Sequence, residues 1–163
     1  LWYAPNLLLQ KTPAGKFTAT TKIRFASKAE NQYGGIVMMG LNYSALVVKR
    51  VGEEFQLLQL TCLHADRDGK DSTRLITTMQ PTEKDKVDYR RAIYIDLYLR
   101  MTVDNGVCRF AYSTNGKAFR DAGDAFTMRE GKWIGAKIGF VSEEVDPKAD
   151  RGWIDADWFR VTK

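Results

Sequence analysis

Histidine is almost missing from this chain, and most chemistry that needs a base near neutral pH goes with it. The one histidine is His64, so a Ser–His–Asp triad would have to be built on that residue. His64 sits beside Ala65-Asp66-Arg67-Asp68-Gly69, which reads as a solvated loop. No GxSxG elbow, Walker A loop or GxGxxG fingerprint occurs. Cleavage of glycosides by paired carboxylates would require two acids in one cleft, and with 20 acids in the chain spacing alone singles out none. Cysteine is scarce too. Cys62 and Cys108 form no CxxC, and one histidine cannot complete a usual zinc set with them. Both fall in expected strands. Two buried free thiols are the expectation, with a bridge between neighbouring strands left open.

Long apolar runs are lacking. A stretch such as Ile36-Val37-Met38-Met39 is far too short to span a bilayer, so no membrane partner is expected. A helical period is lacking as well, since the best candidate, residues 81–90, is too polar to anchor a core. The chain shows no signal peptide and opens Leu1-Trp2-Tyr3 without a methionine. The expectation is a piece of something longer. Charge of one sign is not concentrated. The net +5 comes from 25 basic and 20 acidic residues, interleaved as in Glu83-Lys84-Asp85-Lys86, which excludes an evident nucleic-acid patch.

What is present is alternation. Ile93, Ile95, Leu97, Leu99, Met101 and Val103 fall on one side of a strand; Tyr94, Asp96, Tyr98, Arg100 and Thr102 fall on the other. Asp104-Asn105-Gly106 then turns the chain into residues 107–113, and Asn115-Gly116 turns it again into 117–120, because Asn-Gly tolerates the positive φ of tight hairpins. Phe17, Ala19, Thr21, Ile23 and Phe25 alternate against Thr18, Thr20, Lys22 and Arg24. Further strands are expected at 6–11, 36–40, 44–51, 54–62, 73–79, 133–141 and 153–161, about eleven in all, with exposed loops at 64–72 and 145–151. No internal repeat or linker is visible. Residues 1–163 (163 residues, 44% hydrophobic) are enough for one domain with its own core. The fold class expected is all-β, a sandwich or barrel.

Candidate sites follow from chemistry. Sugars present apolar C–H faces and hydroxyl edges; rings cover the first, and Asp or Arg reads the second. Tyr94, Asp96, Tyr98 and Arg100 supply both kinds of group on one strand face, although cross-strand Tyr/Arg pairs also serve simply to stabilise exposed sheets. Trp133, Trp153 and Trp158 read as core or edge residues. Asp155 and Asp157 count to the same face of the last strand. They could share a calcium ion, or pair with Lys or Arg on a neighbouring strand, which is favoured. The run Asp66-Arg67-Asp68-Gly69-Lys70-Asp71 departs from the calcium-loop pattern at Lys70 and Asp71 and reads as a solvated turn.

Six segments in order carry a family resemblance: Asn6-Leu-Leu-Leu-Gln-Lys11, Phe17-Thr-Ala-Thr-Thr-Lys22, Gly35-Ile-Val-Met-Met-Gly-Leu-Asn-Tyr43, Cys108-Arg-Phe-Ala-Tyr-Ser-Thr-Asn-Gly-Lys117, Arg129-Glu-Gly-Lys-Trp-Ile-Gly-Ala-Lys137 and Asp155-Ala-Asp-Trp-Phe-Arg-Val161. Together they resemble the C-terminal concanavalin A-like domain of glycoside hydrolase family 43 enzymes, the β-xylosidases and α-arabinofuranosidases. The resemblance implies a two-sheet antiparallel jelly-roll sandwich. It implies a catalytic propeller elsewhere as partner, and a supporting, non-catalytic role for this chain, which should not hydrolyse glycosides alone. In some such enzymes a loop ahead of the first strand helps close the substrate pocket, which here falls at Trp2, Tyr3 and Asn6. Export to the periplasm or cell surface would suit a parent enzyme of this kind. The alternatives kept open are an autonomous module for xylo- or arabino-oligosaccharides and a self-contained concanavalin-like glycosidase.

Overall fold

The structure, a computed structural model, describes residues 6–13, 15–82, 92–131, 135–143 and 152–163. Trp2, Tyr3, Trp133, most of the segment 81–90 and all of 145–151 lie outside the described residues. Eleven strands run in chain order: β1 (Leu7–Lys11), β2 (Lys16–Ser27), β3 (Tyr33–Met39), β4 (Tyr43–Val51), β5 (Glu54–Cys62), β6 (Ser72–Met79), β7 (Ile93–Asp104), β8 (Val107–Ser113), β9 (Arg120–Thr127), β10 (Lys137–Glu143) and β11 (Trp153–Thr162). The described helical content is one 3₁₀ turn, Ala65–Arg67. All pairings are antiparallel. They build a six-stranded sheet in the order β1-β10-β3-β4-β5-β6 and a five-stranded sheet in the order β11-β2-β7-β8-β9. The fold is the expected two-sheet, concanavalin A-like sandwich.

Alternation explains the five-stranded sheet. Its β2 and β7 pair without interruption from Lys16↔Asp104 to Ser27↔Ile93. This register puts Phe17, Ala19, Ile23 and Phe25 beside Val103, Met101, Leu97 and Ile95 on the inner face, all buried. Across the sandwich they meet Ile36, Met38, Leu46, Val48, Phe55 and Leu57. Phe25 and Phe55 join the sheets edge-to-face, with ring centroids 5.8 Å apart. Each such side chain contributes about 1.5–3 kcal/mol by leaving water.

The six-stranded sheet reads differently, because it is buried on both sides. Leu46 and Val48 face the sandwich core. Ala45 and Val47 face outward yet are equally buried, in a second cluster with Val37, Leu58 and Leu60. Near-continuous apolar runs rather than strict alternation are the signature of such strands.

One polar element crosses the core. Gln59, buried on the inner face of β5, accepts a hydrogen bond from Asp124 N–H and donates one to Asp124 O, both 2.8 Å. It thereby treats β9 of the other sheet as a backbone partner. Its amide also donates to Ser44 Oγ at 3.2 Å. Gly123 permits the approach: its φ is +80°, and a Cβ there would lie 2.1 Å from Gln59 Oε1. A buried amide is tolerated when its groups are partnered in this way.

The two hairpin turns divide. Asn105 and Gly106 both have positive φ, 48° and 81°, and Asp104 pairs directly with Val107, giving the tight two-residue turn expected. The second differs. Pairing between β8 and β9 resumes only at Tyr112↔Arg120; β8 ends at Ser113, residues 114–119 form a loop and β9 begins at Arg120. Local side-chain bonds win over a tight turn here. Ser113 Oγ accepts from Asn115 N–H and Gly116 N–H, and Asn115 Oδ1 accepts from Lys117 N–H and Ala118 N–H.

Both cysteines are free and buried. Burial pushes the Cys108 thiol up to about 12. Burial, then a hydrogen bond to a carboxylate, raises the hydroxyls of Tyr33 (to Glu143) and Tyr43 (to Asp71). In each case the folded state holds its proton more tightly than the unfolded chain does. The stability contributed is whole below the ordinary values, 9.0 for the thiol and 10.0 for the tyrosines, and is lost as pH rises beyond them. The urea midpoint is therefore expected to hold level from about pH 7 to 9 and fall above about pH 10; a midpoint that rises there would contradict these burials. Iodoacetamide at pH 8 is expected to label neither thiol in the native protein and both in urea, read by mass spectrometry.

Candidate functional site

The outer face of the five-stranded sheet is a ladder of rows, each crossing β11, β2 and β7. The register sets them: Trp153–Ala26–Tyr94, Asp155–Arg24–Asp96, Trp158–Lys22–Tyr98, Arg160–Thr20–Arg100 and Thr162–Thr18–Thr102. Side chains directly opposite on one face interact, so each row has its own chemistry.

The first two rows are closed. Tyr94 is buried with Ala26, Ala92 and Trp153, and the Arg24 guanidinium covers its ring at 4.1 Å. Arg24 makes a two-pronged pair with Asp96, 2.7 and 2.8 Å. Hydrogen bonding to Asp96 and its charge hold the guanidinium firmly protonated, against the opposing effect of burial. Thr82 completes this end: it accepts from Asp96 N–H at 2.6 Å, and its own N–H donates to Tyr94 O at 3.0 Å.

The next rows are open. Tyr98 and Arg100 line a groove of about 370 Å³ together with Thr18, Thr20, Gly116, Phe119, Trp158, Arg160 and Thr162. Tyr98 and Trp158 have ring centroids 6.3 Å apart, tilted by 51°. Gly116 of the 114–119 loop lies against Tyr98; a Cβ there would sit 2.8 Å from the ring, and its φ is +72°. The same loop sets Phe119 under Arg100, whose guanidinium lies 3.5 Å from the ring centroid and whose Nε donates to Thr20 Oγ1 at 3.2 Å. Arg160 lies over Trp158 at 5.3 Å. Thus of the four candidates on β7, the structure brings Tyr98 and Arg100 into a groove and ties Tyr94 and Asp96 into a stacked, ion-paired cluster beside it.

Trp158, Arg160 and Phe119 are groove residues that strict alternation misses. Counting by twos along 153–161 gives Asp155, Asp157, Phe159 and Val161 one face. A β-bulge between Ala156 and Trp158 breaks that count. Beyond it Phe159 and Val161 pack on the core, and Trp158 and Arg160 turn outward. The buried Thr21 hydroxyl donates to Trp158 O at 2.6 Å, bracing the chain there. The signal was in the apolar phase, which shifts by one between Ile154 and Phe159.

The same bulge takes Asp155 and Asp157 off a common count. Trp153 Nε1 donates to Asp155 at 3.0 Å. Asp157 pairs with Lys22, whose ammonium it holds more firmly protonated, by hydrogen bond first and charge second. Each carboxylate thus has its own donor, an arrangement that does not fit a shared calcium ion. Among the described residues no group of three or more His, Cys, Asp or Glu could hold a metal. In the 64–72 loop, Tyr43 donates to Asp71, and Cys62 Sγ lies 3.2 Å from Gly69 O. Asn6 is exposed, and its carbonyl accepts from Ser142 N–H at 3.1 Å.

Comparison with known proteins agrees with this architecture. The model of the β-xylosidase C-terminal concanavalin A-like domain matches residues 1–162. A β-xylosidase of Formosa agariphila is 30% identical over 159 residues, 97% of this chain and 23% of that protein. A xylan β-1,4-xylosidase from Bacillus halodurans superposes with a TM-score of 0.72 at 14% identity, over 96% of this chain and 29% of the other. A bifunctional GH43-CE protein from Bacteroides eggerthii gives 0.74 at 15%, over 98% and 19%. This chain therefore spans about a quarter of its relative from Formosa. Sandwich, strand order and near end-to-end match place it in one family: the chain belongs to the C-terminal concanavalin A-like domains of family 43 β-xylosidases.

Proposed function

We propose that this chain is the accessory sandwich of a xylan- or arabinan-degrading glycoside hydrolase, where it supports a catalytic domain and shapes the substrate pocket without catalysing hydrolysis itself. The observation that carries this reading is one of proportion. The match runs through nearly the whole chain but through only 23% of the β-xylosidase it resembles at 30% identity, which leaves the larger part of such a protein to hold the reaction. Hydrolysis by two carboxylates needs them roughly 5–10 Å apart on one cleft, and no acid lines the groove. Trp2, Tyr3 and Asn6 are the residues we assign to the interdomain or pocket-closing loop.

A second reading, autonomous sugar binding, is favoured by one observation: the open groove in which Tyr98 and Trp158 offer ring faces between hydroxyl and guanidinium groups. A docking surface alone would call for one apolar patch. The large exposed apolar side chains described are instead dispersed, with Leu8 and Leu75 on opposite edge strands of the six-stranded sheet.

Deleting this domain from the full-length protein is expected to lower kcat/KM on an aryl β-xyloside at least about tenfold, or ~1.4 kcal/mol of transition-state stabilisation. The isolated chain should give no turnover. Turnover by the chain alone, or an undiminished rate in the truncated enzyme, would overturn the accessory reading. For the groove, Gly116→Ala should destabilise the chain by about 1 kcal/mol or more, measured by urea unfolding, because alanine is strained at positive φ. The added methyl must also displace Tyr98.

A further inference from the structure

Charge is balanced along most of the outer ladder and fails at one rung. Where the rows carry ions, base and acid meet: Arg24 stands between Asp155 and Asp96, Lys22 holds Asp157, and Lys16 pairs with Asp104 at 3.2 Å. The rung Arg160–Thr20–Arg100 is the inverse of its neighbour two rows away. Two guanidiniums flank a neutral threonine, with no carboxylate between them. Neither arginine has a carboxylate partner among the described residues, and no acid lines the groove they share.

Two arginines separated by two strand spacings, roughly 10 Å between backbones, would ordinarily swing away from each other into water. These are held. Arg100 rests on Phe119 and is tied to Thr20; Arg160 rests on Trp158. Stacking uses the guanidinium faces and leaves N–H edges available, and those edges are what bind an oxyanion, two bonds at a time. The ring pair Tyr98 and Trp158 adjoins the same rung and offers apolar cover for a pyranose ring. Thr18, Thr20 and Thr162 supply small hydroxyls to the floor.

We propose that this groove binds an acidic saccharide, with the sugar ring against Tyr98 and Trp158 and its negatively charged group between Arg100 and Arg160. The proposal deepens the second reading above and rests on it: the ligand is a glycan segment bearing a uronic acid rather than a neutral chain. The Arg160 side chain is exposed and makes no hydrogen bond among the described residues, so its replacement tests recognition without taxing the fold. Trp158 supplies the ring.

The test is calorimetry on the folded chain, its cooperative urea transition checked for every variant. Three probes are used: a xylo-oligosaccharide carrying one glucuronic acid, the same oligosaccharide without it, and a sulfated oligosaccharide. The uronic-acid form is expected to bind at least about tenfold more tightly than the neutral one, the gain of one charge-assisted contact. Arg160→Gln should erase that difference and Trp158→Ala should abolish binding of both. Affinity for the uronic-acid form should also fall as salt is raised. Tighter binding of the sulfated probe than of the uronic acid would replace carboxylate by sulfate as the charged group and overturn the uronic-acid assignment. Equal binding of acidic and neutral forms, unaffected by Arg160→Gln, would overturn the proposal while leaving a sugar groove standing. No heat with any probe from folded protein would remove both.

Discussion

The pairing of β2 with β7 is the constraint on which the rest depends. Twelve residues of one strand face twelve of the other without a bulge, from Lys16↔Asp104 to Ser27↔Ile93. Because side chains alternate, a slip of one residue would carry Phe17, Ile23 and Phe25 out to solvent and bring Lys22 and Arg24 into the core. The penalty for buried unpaired charge forbids that exchange. One register therefore fixes two surfaces at once: the apolar inner layer, and the outer ladder where Arg24 finds Asp96 and Tyr98 comes to lie beside the groove.

On that frame, irregular features do the specialising. The regular part of the outer face consists of stacked and ion-paired rows whose partners are mutually satisfied, as at Tyr94, Arg24 and Asp96. The groove arises where two departures from regularity meet. A bulge in β11 turns Trp158 and Arg160 outward, and a longer loop, residues 114–119, in place of a tight hairpin brings Gly116 and Phe119 against β7. Bulges and loops on a rigid sheet are where recognition surfaces tend to be built, because the scaffold holds them at little entropic cost.

The two sheets also differ in how their outer faces are covered. The six-stranded sheet is apolar on both faces, with Val47 and Val37 as buried on the outside as Val48 and Ile36 within. The five-stranded sheet keeps its outer face polar and aromatic. The clamp from Gln59 to Asp124 fixes β9 against β5 and so ties the two unlike sheets together.

The strand count, the inner set on β2 and β7 and the tight turn at Asn105-Gly106 were legible in the sequence because each rests on a local rule: period two, or positive φ at Asn-Gly. Tyr98 and Arg100 were legible as candidates for the same reason. Their separation from Tyr94 and Asp96 was not, because it depends on partners far along the chain: Arg24 and Trp153 on one side, Trp158 and Phe119 on the other. Asn115-Gly116 looked like a second tight turn, and only the bonds from Ser113 and Asn115 make it a loop. Along β11 the phase shift between Ile154 and Phe159 was visible, but strict counting passes over it. Alternation is a property of neighbouring residues, so the sequence by itself determined which faces are apolar and which polar. Which polar side chains meet across strands, and which are left without a counter-charge, is set by register and bulges between segments far apart in the chain, 72 residues for Arg24 and Asp96 and 135 for Lys22 and Asp157, and that only the tertiary structure decided.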